Sequence, residues 1–432
     1  MKKFYCLIFL FFSFSVFTQA QQYRLKYSAD DKKPLSLENV IRLSLENSYD
    51  LLLIEQDLII AEQRIKEAKF LYFPRISFNG SATAYNLDYP IILPEMIGQR
   101  LIMPDTNHKR EDLFYGVGVS AVQYIYGGGR ISSTLDLARA SNKETQSRYQ
   151  NAKNIVILAA KKAFYEYLYT QEKNKLAEEV FNKAQKIARQ KELNPSQKIL
   201  VSAELSSFES LASKATAELN EAKINLLKVL NKEFNSEITF EGSLEYDPIE
   251  VDLKKLNLWA MEFRPEVKNA MYKLEMDNIA VKLSLTRSYP DILLGASYDR
   301  QGTDSLKQEN MQLSLAFKLP LGYDYTTQVK QKRAEQRQTV LRQAAVEDTV
   351  RLQVLEAYNN LNFWQTETPN RIKTWETIKT QFKDFMKGSY PLKDSFDSLN
   401  YYYQAGVKSL EAQKEHLVAI ANLENAIGKD LK

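Results

Sequence analysis

Few residues of this sequence stand at spacings that chemistry uses. Asp394 and Asp397 are three apart at the start of the last predicted helix, so their carboxylates share one face. Acids at a helix N-terminus are favoured by the helix dipole, which alone accounts for the pair. If copies of the chain met around an axis, the pair would repeat as a ring of carboxylates, favouring cations over anions. Gly127-Gly128-Gly129-Arg130 follows a strand-like segment and opens a helical one, the setting of a phosphate-binding loop. No Lys-Ser or Lys-Thr follows, and no GxGxxG spacing is complete. The equivalent place later in the chain, Pro320-Leu321-Gly322-Tyr323-Asp324, has one glycine. A sharp strand-to-helix elbow explains both. His108 and His416 are the only histidines, with no cysteine beside them, so a zinc site would need carboxylates for its other ligands. Both are read as surface or packing residues. Tyr401-Tyr402-Tyr403 is read as helix packing, with pore lining as the alternative. There is no GxSxG, no HExxH and no defensible Ser/His/Asp set. No catalytic, cofactor-binding or metal-binding residue is expected, so the chain is read as not an enzyme.

The elements that hold these residues must be long. The chain has 432 residues but only 14 Gly and 12 Pro. Glycine is thus less than half as common as the usual ~7%. A chain so poor in breakers has few tight turns, which argues against a large α/β enzyme. Apolar residues are 44% and charged residues 26%, so the chain is expected to fold. Lys and Arg number 58 against 54 Asp and Glu, and no basic tract suggests nucleic acid.

Residues 1–20 read as a signal peptide. Lys2 and Lys3 form its charged start, Phe4 to Phe17 is apolar apart from serines, and Thr18-Gln19-Ala20 fits a cleavage site. The single cysteine, Cys6, lies inside this leader, so no disulfide is expected. No other apolar run approaches the length of a spanning helix. A membrane crossing would therefore have to be a β-barrel.

Residues 131–193 hold neither Gly nor Pro, and neither do 196–241. Their Ala, Lys, Glu, Gln and Leu content favours helix. Apolar residues recur three or four apart, as in Leu219, Ala222, Leu226 and Leu230. Around Ile155 to Tyr169 they cover most of the circumference, wider than a two-stranded seam needs. That predicts helices with neighbours on both sides. Asn194-Pro195-Ser196 reads as a turn, with Ser196 able to cap the second helix, so 131–233 form an antiparallel hairpin. Residues 323–430 repeat the layout, with a turn at Gly388 to Pro391 and an expected kink at Pro369.

Leu71 to Phe78 resembles Arg287 to Leu294, with Pro74 and Pro290 each ahead of a strand-like segment. The chain is read as a duplication: repeat 1 over 35–233, a linker at 234–253 and repeat 2 over 254–430. Alternating segments near 75–86, 113–126, 291–300 and 311–319 have the length of membrane strands. Four strands cannot enclose a lumen, and open edges cannot face lipid. Transmembrane strands would therefore require several chains in one barrel. The rival reading is a soluble periplasmic coiled-coil scaffold or adaptor with a small sheet.

The duplicated Phe73-Pro74-Arg75-Ile76 and Tyr289-Pro290-Asp291-Ile292, the Tyr126-Gly-Gly-Gly-Arg130 elbow with Ala138 downstream, and the ending Ala421-Asn-Leu-Glu-Asn-Ala-Ile-Gly428 together resemble the TolC family of outer-membrane efflux and export channels. The resemblance spans nearly all of the chain after the leader. It implies a homotrimer, with four strands per chain in a shared twelve-stranded barrel embedded in outer-membrane lipid. It implies an α-helical barrel reaching across the periplasm, and a periplasmic adaptor and inner-membrane pump as partners. It places Asp394 and Asp397 at the periplasmic aperture. It makes the hairpin tips, Asn194, Pro195, Ser196, Gly388 and Tyr390, the docking ends for the adaptor. Some members carry an Arg two residues after the turn glycine that helps hold the aperture shut; this chain has Tyr390.

Overall fold

The structure is a computed structural model that describes residues 34–84, 113–189, 194–232, 238–302, 307–320, 322, 324–388 and 390–431. The leader, Cys6, His108, strand positions 85–86 and linker positions 234–237 lie outside the described residues.

Two helices, α1 (Leu37–Asn47) and α2 (Tyr49–Phe70), lead to strand β1 (Arg75–Ala84) and strand β2 (Leu113–Tyr126). Helices α3 (Arg130–Arg189) and α4 (Pro195–Val229) follow as an antiparallel hairpin. The order then recurs: α5 (Leu253–Phe263), α6 (Pro265–Leu285), β3 (Asp291–Gly302), β4 (Lys307–Lys318), α7 (Asp324–Phe385) and α8 (Leu392–Ile427). At ~1.5 Å per residue, α3 and α7 are each about 90 Å long.

The capping residue at the first hairpin tip differs from the expectation. Asn194, not Ser196, caps α4. Its side chain accepts from the Gln197 N–H at 2.8 Å, while Gln197 Oε1 accepts from the Asn194 N–H at 3.1 Å. Pro195 occupies the first helical position, where its missing N–H leaves no bond unmade. Ser196 donates to Asn194 Oδ1 at 2.9 Å and steadies the cap.

Among the described residues apolar side chains are buried in three clusters rather than one core. One near the tips joins Ala184, Phe208, Phe396 and Leu399. A second, in the first half of the chain, joins Val40, Phe164, Leu226 and Phe240. A third, built mostly from the second half, joins Leu256, Leu361, Leu423 and Ile427. Residues 238–241 run extended beside the start of the chain, with Leu35 N–H donating to the Thr239 carbonyl at 2.9 Å.

The four strands form one antiparallel sheet in the order β1-β2-β3-β4, so β2 of the first repeat pairs with β3 of the second. β4 begins at Lys307, earlier than the alternation near 311–319 suggests. Its first residues, Lys307-Gln308-Glu309-Asn310, are polar on both faces, yet the backbone ladder to β3 continues through them.

Pro369 lies inside α7 and does not end it. A proline cannot donate to the carbonyl four residues back, here that of Gln365. The Tyr246 hydroxyl donates to that carbonyl instead, at 3.0 Å. The Gln365 amide in turn donates to the Ile249 carbonyl at 2.8 Å. The segment between the repeats thus completes a bond the long helix cannot make for itself. Tyr246→Phe is expected to cost about 1 kcal/mol, the net contribution of a typical hydrogen bond, since this one is part-buried. In a Pro369→Ala background the restored N–H would answer Gln365, and the same substitution should then cost almost nothing. Denaturant titration of the four proteins of this cycle checks it; equal losses in both backgrounds would refute the assignment.

Candidate channel surface and aperture

The sheet has two chemically different faces, and the pleat decides which residue goes where. One face carries Ile76 and Phe78 of β1, Val117 and Val119 of β2, Leu294 and Tyr298 of β3, and Leu313 and Leu315 of β4. The opposite face carries Ser77, Asn79, Ser120, Ser297 and Gln312. Ser77 and Ser120 share a hydrogen bond of 2.7 Å across it. The apolar face is uncovered: Phe78 is 72% exposed, Leu313 76% and Met311 85%. An apolar patch of this extent marks a lipid or protein contact. Among the described residues β1 and β4 each have a partner strand on one side only.

The elbow below β2 explains the triple glycine. Gly128 and Gly129 have φ of 61° and 82°, the left-handed region that glycine enters without strain. A Cβ on Gly128 would lie 2.5 Å from the Cβ of Tyr289. Arg130, the first residue of α3, reaches Asp291 at the start of β3, 2.7 Å away, and its guanidinium sits 5.3 Å from the Tyr124 ring centre. The glycines therefore serve close packing of one repeat on the other.

Asp394 lies in the first turn of α8 and Asp397 one turn on. Both are exposed, and among the described residues neither has an ion-pair partner. With Tyr401 and Gln404 they form a row at spacings of three and four on the helix face opposite Leu392, Phe396 and Leu399. Of the tyrosine triplet, Tyr401 joins this exposed row, whereas Tyr402 and Tyr403 are buried. The Tyr402 hydroxyl donates to Glu179 at 3.2 Å, and its ring packs 4.7 Å from Trp375 and 4.6 Å from Phe382. Burial, and then the Glu179 carboxylate, push the pKa of Tyr402 up, while burial and then Glu218 push Tyr403 up to about 12. Both stay protonated, as packing residues do. His416 is fully buried, its ring 4.8 Å from that of Tyr246. Among the described residues no three His, Cys, Asp or Glu side chains gather where they could hold a metal ion.

At the second tip Tyr390 stands where a lock arginine would be. Its ring stacks on Phe385 at 4.1 Å and 11°. It also covers Gly388, where a Cβ would meet the ring at 2.4 Å. An aromatic clasp holds this turn. The sequence marks Gly388 as a turn residue but carries no signal for the stack, which depends on α7 ending at Phe385.

Residues 40–193 match the family model described as outer membrane efflux protein. No curated protein matches the chain by sequence. Among solved structures it resembles the Campylobacter jejuni CmeC outer membrane channel, at 15% identity and a TM-score of 0.76 over 91% of this chain and 85% of that one. It resembles the open state of the Neisseria gonorrhoeae MtrE outer membrane channel at 16% identity and a TM-score of 0.74, covering 92% and 89%. It also resembles the Vibrio cholerae outer membrane protein VceC at 14% identity and a TM-score of 0.73, covering 92% and 97%. The chain has the fold that these outer-membrane channels share, and residues 40–193 match the outer membrane efflux protein model. Among the described residues no helix is long and apolar enough to cross a membrane.

The aromatic clasp has a measurable role. Tyr390→Ala should loosen the turn and speed tryptic cleavage after Lys387, while Tyr390→Phe should leave it near the starting rate. Limited proteolysis followed by mass spectrometry checks this; equal rates for all three proteins would remove the clasp.

Proposed function

We propose that three copies of this chain form the outer-membrane channel of a tripartite efflux or secretion system, a passive duct from periplasm to exterior. One observation carries the reading: a four-stranded sheet with an uncovered apolar face and two unpaired edges, mounted on helices about 90 Å long. The polar face, with its serines and glutamines, would line the water-filled lumen. The apolar face would contact lipid. A soluble periplasmic scaffold would have no use for such a face. The duct catalyses nothing; it removes the cost of moving polar solutes through hydrocarbon.

The hairpin tips, Asn194 to Ser196 and Gly388 to Tyr390, are the docking ends for a periplasmic adaptor that couples the duct to an inner-membrane pump. The capped first tip and the clasped second tip present fixed shapes, which lowers the ordering cost of docking. Asp394 and Asp397 stand beside the second tip and form the aperture, six carboxylates in a trimer. Opening separates the tips and carries these groups from the axis.

Asp394→Ala combined with Asp397→Ala is expected to raise single-channel conductance in planar bilayers and to weaken block by polyvalent cations. Recordings that match those of the unaltered protein would take the aspartates out of the mechanism. Carbonate washing of membranes provides a second check, because a barrel remains in the pellet and a scaffold is released.

A further inference from the structure

The contact between the two repeats inside one chain is a template for the contact between copies. The repeats superpose element by element in sequence. α5 begins 216 residues after α1, as Pro290 follows Pro74 and Asp291 follows Arg75. The long helices begin at Arg130 and Asp324, a spacing of 194, which also sets Gly322 against Gly128. Within the chain, the elbow after β2 meets the lead-in to β3. Tyr289 packs on Gly128, and Arg130 pairs with Asp291 at 2.7 Å. The corresponding pieces at the outer edges are the elbow after β4 and the lead-in to β1. There Gly322 and Asp324 are exposed, Phe73 is 64% exposed, and Arg75 projects from the first position of β1. Among the described residues neither Arg75 nor Asp324 has an ion-pair partner.

The charges at the two places are reversed. Inside the chain the elbow is basic and the lead-in acidic; at the edges the elbow is acidic and the lead-in basic. We propose that a second copy of this chain docks β1 against β4 with the β2–β3 geometry, so that Arg75 pairs with Asp324 across the subunit seam. This rests on the oligomeric channel reading above and specifies its interface.

The register follows from the same template. Val119 opposite Tyr298, Ala121 opposite Ala296 and Gln123 opposite Leu294 transfer to Leu313 opposite Ala82, Leu315 opposite Gly80 and Phe317 opposite Phe78. This register keeps the apolar side chains of both strands on one face; a slip of one residue would turn one strand's set into the lumen. It also sets Ala82 and Gly80 of β1 against the larger Leu313 and Leu315 of β4.

The test uses the full chain extracted from membranes in detergent. Arg75→Asp and Asp324→Arg should each lower the temperature at which the oligomer is lost on unheated-to-heated SDS gels, and the double variant should recover most of the loss. Ser81→Cys with Ser314→Cys should give an oxidant-dependent ladder of linked chains, whereas Ser81→Cys with Gln312→Cys should not. Single variants that behave as the parent, a double variant worse than either, or linkage in the shifted pair would overturn the proposed seam. An oligomeric parent with any of those results sinks this seam alone. A parent that is monomeric by native mass spectrometry sinks the channel reading with it.

Discussion

Among the described residues the backbone N–H and C=O groups along the outer edges of β1 and β4 have no partner strand, and hydrocarbon would offer them none. Each group left unmet in lipid costs several kcal/mol. A ten-residue edge therefore outweighs the few kcal/mol that separate folded from unfolded states in ordinary domains. The rest of the architecture answers this constraint. On the proposed channel reading, other copies complete the sheet at one register, and the helices that continue from each strand arrange themselves around the same axis.

The duplication makes this solvable with a short chain. One repeat-to-repeat junction, between β2 and β3, is built inside the polypeptide and rehearses the geometry that the edges need. Arg130 and Asp291 fix that junction where sheet gives way to helix, and Gly128 leaves room for the Tyr289 side chain. Farther down, three separate apolar clusters replace a single core. Each is a local layer between neighbouring helices, as expected for rods that pack side by side around a hollow interior.

Much of this was readable from residue order. The absence of Gly and Pro over 131–193 announces α3, and the alternation of Ile76, Phe78 and their neighbours announces β1. What failed to show has physical causes. Asn194 and Ser196 are both good capping residues, and only the position of Pro195 at the first helical turn decides for Asn194. The start of β4 at Lys307 is hidden because its polar residues carry no alternation; backbone pairing with β3 alone extends it. The sequence marks Pro369 as a kink but does not reveal that Tyr246 will donate to the carbonyl it leaves unmet. The aspartates at 394 and 397 were visible as a pair, but their bare, shared face is a property of how α8 packs.

The unbroken length of α3 and α7 has a mechanical consequence. A rod about 90 Å long turned by about 5° at its root carries its far end through about 8 Å, more than the width of a hydrated small ion. Adjustments of a few tenths of an ångström in the packing around Gly128 and Tyr289 are thus magnified at the opposite extremity. Each long helix has the proportions of a lever whose fulcrum lies at the elbow between strand and helix.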